Sequence, residues 1–254
     1  MKYLGKLFIS SFLIFSFFVI SMDSITINHQ NNDPSLIVSS QNSKVIYLSF
    51  DDGPSMNTQK ILDILDKYEI NATFFVVGPS YQKKNDLLNQ IIKSGHTIAI
   101  HSFNHIYSQI YNSKDDYLND FNLSVNWIKN ITGISPNLYR FPGGSSNTIA
   151  NKDLIKEIII HLDNLGYKHV DWNVDSLDSK YNNDSTSIIN KTINDIKTNE
   201  SNGVYTQTIL MHDNTKKVAT VDSLATIIEY CLSKGYVFDT LTIDSPLSQH
   251  VKKP

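Results

Sequence analysis

Two carboxylates stand side by side at Asp51 and Asp52, and two histidines stand four residues apart at His101 and His105. Further along come Arg140, a group of aspartates at Asp171, Asp175 and Asp178, and another histidine at His212. Side chains of these types can hold a divalent cation and move protons. Histidines four apart point the same way if the backbone between them makes a helical turn, so both imidazoles can reach one ion. Each feature alone has a plainer reading. Asp-Asp-Gly-Pro at residues 51–54 is good turn composition, Pro142-Gly143-Gly144 is another turn, and a single histidine after a strand is weak by itself. Their joint occurrence at the ends of separate strand-like runs singles them out.

The elements that must position these groups alternate regularly. Strand-like runs rich in β-branched and aromatic residues fall near residues 45–50, 72–77, 97–100, 138–141, 169–173, 207–211 and 236–241. Helix-period stretches lie between them, near residues 58–68, 85–93, 116–130, 153–165, 187–197 and 222–233. Such alternation implies a parallel sheet with crossover helices, either closed as a barrel or open and doubly wound. In both, the carboxyl ends of the strands form the working face, and Asp51-Asp52, His101, Arg140 and His212 all sit there. His96 lies on the amino side of its strand and is expected to be structural. Trp172 reads as a core residue or as a platform for a sugar ring. Arg140 is the only arginine in the chain, the other cations being lysines. A planar, bidentate, permanently charged donor at that place would explain the choice.

Composition sets the outer limits. With 254 residues, 41% of them hydrophobic, the chain can bury one large core. A formal charge of −3 leaves no electrostatic footprint for nucleic acid. The single Cys231 cannot form an internal disulfide and reads as a small core residue. Residues 1–22 carry Lys2 and Lys6 ahead of an uncharged run rich in Phe, Ile and Leu, the layout of an export signal. Two readings of this segment stand, a cleaved signal peptide and an uncleaved membrane anchor, and both place the domain outside the cytoplasmic membrane. Residues 23–43, rich in Asn, Ser, Asp and Gln, have linker composition. A catalytic domain over residues 44–246 and a C-terminal tail over 247–254 complete the expected organisation, as a monomer.

The run Val45-Ile-Tyr-Leu-Ser-Phe-Asp-Asp-Gly-Pro54 resembles the first motif of the polysaccharide deacetylases, carbohydrate esterase family 4. The His101-Ser-Phe-Asn-His105 run resembles their second motif and Tyr139-Arg-Phe-Pro-Gly-Gly144 their third. The resemblance covers about residues 44–243 and implies an irregular α/β barrel of about seven parallel strands. It further implies that Asp52, His101 and His105 hold a divalent metal ion, Zn²⁺ first, with Co²⁺ or Mn²⁺ as alternatives. Asp51 would be the general base, Arg140 its partner, His212 the general acid and Asp178 the carboxylate that tunes it, with Asp175 and Asp171 as close competitors for that last role. Pro142, Gly143 and Leu210 would meet the substrate, with the Gly143 N–H helping to hold the oxyanion and Leu210 lining the acetyl pocket. Two departures stand out. Gly143 occupies a position where family members often carry Tyr, and Ser179 stands where many have Trp, removing an aromatic wall.

The activity implied is metal-dependent removal of N-acetyl groups from the amino sugars of a cell-wall polysaccharide, peptidoglycan N-acetylglucosamine first. The alternatives are O-acetyl ester hydrolysis, action on a chitin-like or biofilm polysaccharide, and a non-catalytic polysaccharide-binding relative. No organic cofactor is needed.

Overall fold

Strand β1, Val45–Asp51, is the central element, and its two faces have different tasks. Successive side chains of a strand point to opposite faces. Ile46, Leu48 and Phe50 pack outward into the large core shared with helix α1, Met56–Lys67, through Ile61, Leu62 and Leu65. Tyr47, Ser49 and Asp51 alternate with them. Tyr47 joins a smaller apolar cluster with Phe75, Ala99, Leu138, Val170 and Leu241. The same face thus runs from an apolar plug at Tyr47, through a hydroxyl at Ser49, to a carboxylate at Asp51.

The structure is a computed structural model that describes residues 44–79 and 84–253. The expected export signal and linker, residues 1–43, lie outside the described residues. The other strands are β2 Thr73–Val77, β3 Thr97–Ser102, β4 Leu138–Tyr139, β5 Lys168–His169, β6 Val174–Asp175, β7 Thr206–His212 and β8 Val237–Phe238. Helices α2 Lys84–Lys93, α3 Tyr107–Ile110, α4 Lys114–Thr132, α5 Lys152–Asn164, α6 Ser185–Ser201 and α7 Val218–Ser233 complete the described chain. Seven strands pair in the order β5-β4-β3-β2-β1-β7-β6, all in parallel, as a curled half-barrel. β8 adds to the start of β1, pairing Val45 with Val237 and Ile46 with Phe238. The expected barrel of about seven parallel strands is therefore met.

The register explains why distant residues meet. β1 and β7 pair along their full length, with Ser49 opposite Leu210 and Asp51 opposite His212. The Ser49 hydroxyl donates to the Ile209 carbonyl, 160 residues away, at 2.7 Å.

Two elements differ from the sequence expectation. The strand expected over residues 169–173 is interrupted because the chain changes neighbours there. Val170 N–H bonds to Tyr139 on β4, whereas Asn173 N–H bonds to Thr208 on β7. β5 and β6 are consecutive in the chain but sit at opposite edges of the sheet, which leaves a seam between them. Helix α3 is a single turn, too short for periodicity to reveal.

Candidate active site

Loops at the carboxyl ends of the strands enclose a cleft of about 350 Å³. Asp51, Asp52, His101, His105, Gly143, Leu210 and His212 line it, as expected of the working face. Trp172, Asp175 and Ser179, each read from the sequence, line it as well, and three further lining residues, Tyr107, Asn214 and Lys217, were not singled out by the sequence.

The cation-binding half comes from β1 and β3. Asp52 Oδ1 lies 3.3 Å from His105 Nε2 and 3.6 Å from His101 Nε2, and the three donor atoms fall within 4.8 Å of one another. His101 Nδ1 is 2.9 Å from the Arg140 carbonyl, which can only accept, so Nδ1 carries the proton and the Nε2 lone pair faces the cleft. Burial lowers the His101 pKa and favours the neutral imidazole that a cation needs. Two nitrogens and one carboxylate oxygen, converging with their lone pairs free, fit a divalent metal ion.

Both loops carrying these donors are held by polar contacts. Asp52 and His105 adopt left-handed backbone, at φ 76° and 55°, a conformation that costs an ordinary residue on the order of 1–3 kcal/mol. The buried Asp120 of α4 collects the Ser102 hydroxyl at 2.7 Å, Phe103 N–H at 2.8 Å and Asn104 N–H at 2.9 Å, and so fixes the turn between the histidines. On the other side Gly53 packs directly on Asp213, where an added Cβ would lie 2.1 Å from a carboxylate oxygen. Only glycine permits that approach.

Asn214 donates from Nδ2 to Asp52 Oδ2 at 3.0 Å, leaving Oδ1 turned toward the histidines. Asn214→Ala should therefore weaken Zn²⁺ binding by about 10–100-fold, the usual effect of losing a group that orients a metal ligand. Competition against a chromogenic chelator measures this directly. Unchanged affinity would mean that Asn214 does not orient Asp52.

The base-like half is built on Arg140, which is 0% exposed. Its Nη1 donates to Asp51 Oδ1 at 2.8 Å and to Ser49 Oγ at 2.9 Å, its Nε to the Val170 carbonyl at 2.9 Å, and its Nη2 to the Asp171 carbonyl at 3.0 Å. The guanidinium lies over the Phe75 ring at 4.0 Å, on top of the apolar plug. A buried planar cation with this many acceptors is what the lone arginine of the sequence suggested, and a lysine has no such fork.

The acid-like half lies on β7. His212 Nδ1 meets Asp178 Oδ1 at 2.7 Å, and His212 N–H donates to Asp178 Oδ2 at 2.7 Å. The Thr220 hydroxyl donates to the same Oδ2 at 2.7 Å, and Lys217 Nζ to the Asp178 carbonyl at 3.0 Å. Burial opposes the His212 charge, but the bond to Asp178, its charge and those of Asp51 and Asp52 outweigh it, raising the pKa to about 9. Asp178 is correspondingly lowered, burial being overcome by His212 and Thr220. The geometry thus separates the three candidate aspartates. Asp178 meets His212, Asp175 accepts from Leu177 N–H, and Asp171 turns to Ser145 and the C-terminal segment.

Four other sequence readings find their places. Gly143 borders the cleft at φ 77°. Pro142 does not line it, being buried with its carbonyl accepting from the Tyr111 hydroxyl at 2.7 Å. His96 is a buried structural residue as expected, its Nδ1 accepting from Ala72 N–H at 3.2 Å and burial lowering its pKa to about 4. Trp172, by contrast, forms part of the cleft wall instead of joining the core.

The chain is similar to known proteins in sequence and in fold. The family model described as polysaccharide deacetylase matches residues 39–159. A peptidoglycan-N-acetylglucosamine deacetylase of Bacillus cereus is 33% identical over 198 residues, 77% of this chain and 68% of its own length. Among solved structures, the catalytic domain of a peptidoglycan N-acetylglucosamine deacetylase from Eubacterium rectale superposes with a TM-score of 0.75 at 35% identity. That match covers 86% of this chain and 99% of the other. A carbohydrate esterase family 4 esterase of Streptococcus mutans gives a TM-score of 0.70 at 30% identity, covering 80% of this chain and 87% of the other.

Proposed function

The chain belongs to the polysaccharide deacetylase family, and from that membership we propose that it removes N-acetyl groups from N-acetylglucosamine in peptidoglycan. The observation that carries this reading is the convergence, in one cleft, of a candidate metal triad with an Arg-held carboxylate and an Asp-held histidine.

Asp52, His101 and His105 would hold the divalent ion, and their nitrogen and oxygen donors suit Zn²⁺, with Co²⁺ or Mn²⁺ as substitutes. A cation bound there supplies Lewis acidity toward the acetyl carbonyl and eases the deprotonation of water. Asp51 takes the proton of the attacking water. Arg140 engages its Oδ1, which leaves Oδ2 for that proton. The Gly143 N–H offers a donor to the oxygen on which negative charge develops, and Leu210 borders the acetyl methyl group. His212, its imidazolium favoured and fixed by Asp178, gives its proton to the departing nitrogen. An amine leaves only once protonated, so a histidine maintained as imidazolium favours amide over ester cleavage. Acetate and a free amino sugar result.

Peptidoglycan lies outside the cytoplasmic membrane, and the cationic-then-apolar start of the chain supports action there. Incubating the protein with purified peptidoglycan and locating any lost acetyl group by mass spectrometry of the released muropeptides tests the reading. Loss is expected at N-acetylglucosamine, abolished by chelation and restored by Zn²⁺. Unaltered muropeptides together with deacetylated chitooligosaccharides or acetylated xylan would move the substrate to another polymer.

A further inference from the structure

The seam between β5 and β6 is occupied by the last residues of the chain. Asp171 N–H donates to the Ser248 carbonyl at 2.7 Å, Gln249 Nε2 donates to the His169 carbonyl at 3.0 Å, and His169 Nε2 bonds to the Val251 carbonyl at 2.8 Å. Asp171 is fully buried, and its carboxylate accepts from Ser145 N–H at 2.8 Å, the Ser145 hydroxyl at 2.6 Å and His250 N–H at 2.8 Å. Its own carbonyl accepts from Arg140. One residue thus joins the C-terminal segment, the loop after β4 and the guanidinium that fixes Asp51.

His250 reaches the cleft wall more directly. Its Nε2 meets the Trp172 carbonyl at 2.8 Å, so the proton sits on that nitrogen and Nδ1 accepts from the Ser146 hydroxyl at 3.0 Å. The imidazole stands edge-on to the Trp172 indole, with centroids 5.0 Å apart. Gly144 closes against the indole, since a Cβ there would lie 2.8 Å from Trp172 Cη2. Held in this way, Trp172 lines the cleft in a chain that has Ser179 where many family members carry an aromatic wall.

We propose that Ser248–Val251 is a strap belonging to the catalytic apparatus, with His250 a positioning residue for Trp172 as the sugar-facing wall and Asp171 a positioning residue for Arg140. The inference rests on the deacetylase reading for its kinetic arm alone.

The experiment compares the full chain with His250→Ala and with a chain ending at Leu247, using N-acetylglucosamine oligomers. His250→Ala should raise KM roughly 3- to 10-fold, the scale of one weakened aromatic contact, with a smaller fall in kcat. The shortened chain should lose about 10²-fold in kcat as well, because Arg140 and Asp51 are no longer held to position. A second readout needs no turnover. In a Trp127→Phe background, where Trp172 is the sole tryptophan, His250→Ala should make the indole more accessible to acrylamide quenching. Unchanged KM and unchanged quenching in His250→Ala would overturn the proposal, and this holds even if the shortened chain fails to fold. Absence of deacetylation by the unaltered chain would defeat the deacetylase reading instead, leaving the quenching comparison to decide the strap.

Discussion

Asp51→Asn should leave the protein folded and loaded with metal while turnover falls by about 10²–10⁴-fold, the range for removing a general base. Asparagine can keep an oxygen against Arg140 Nη1, so the buried guanidinium retains its acceptor, but the side chain no longer takes up a proton. Asp52→Asn should behave differently. There the charge opposite His101 and His105 disappears, and metal content should fall along with activity. Metal analysis of the two purified variants beside their turnover numbers separates base from ligand. Equal metal loss in both would mean that the neighbouring carboxylates share the ligand role.

The second large effect concerns protons on His212. His212→Ala should cost a similar 10²–10⁴-fold in turnover, whereas Asp178→Asn should act through the pH profile. In the metal-free protein Asp178 keeps the imidazolium to about pH 9, and activity of the loaded enzyme should be lost as pH rises through a basic limb below that value. Without that partner, burial dominates and the limb should move toward neutrality. A bound cation opposes the imidazolium in wild type and variant alike, lowering both limbs while preserving their order. Stability follows the same signs in the metal-free protein. The raised His212 pKa contributes stability that is complete below the ordinary value of 6.5 and is lost as pH rises through about 9. The lowered Asp178 pKa contributes above the ordinary carboxylate range and is lost in acid. The melting-temperature deficit of Asp178→Asn should therefore be widest between these limits and shrink on both sides. A deficit that did not vary with pH would show that the pair is not ionised in the folded state.

Legibility in the sequence followed distance along the chain. Asp51 and Asp52 adjoin, and His101 and His105 lie one turn apart, so their convergence could be read from neighbouring positions. Arg140 stood out because the sequence has no other arginine. Asp178 was a different case, since three aspartates lie within eight residues and only the fold decides which one faces His212. Asp120 could not be distinguished from the other acidic residues of a helix that also carries Asp115 and Asp116, yet it closes the histidine turn. Asn214 and the C-terminal segment act across separations of 162 and about 80 residues, where composition and period carry no signal. The interrupted strand near residue 171 shows the same limit. Its residues have strand character, but the change of neighbour from β4 to β7 is a property of the curled sheet, whose two edges meet at that seam.

The β1–β7 pairing also dictates an order of assembly. Asp52, His101 and His105 come from the end of β3 and from the loops that follow β1 and β3, whereas β1 receives its other neighbour only when β7 arrives, with the Ser49 to Ile209 contact spanning 160 residues. Closing so long a loop is slow compared with forming the β1–β2–β3 neighbourhood. Any species formed before β7 arrives should hold the ion only weakly, since Asn214, which orients Asp52, follows β7, and it should not turn over without His212. Until then one edge of β1, flanked by Ile46, Leu48 and Phe50, has open hydrogen-bonding groups, the kind of edge on which chains associate. Refolding yield should fall with protein concentration, and substitutions that weaken the β1–β7 pairing should deepen that fall more than equally destabilising changes in α5.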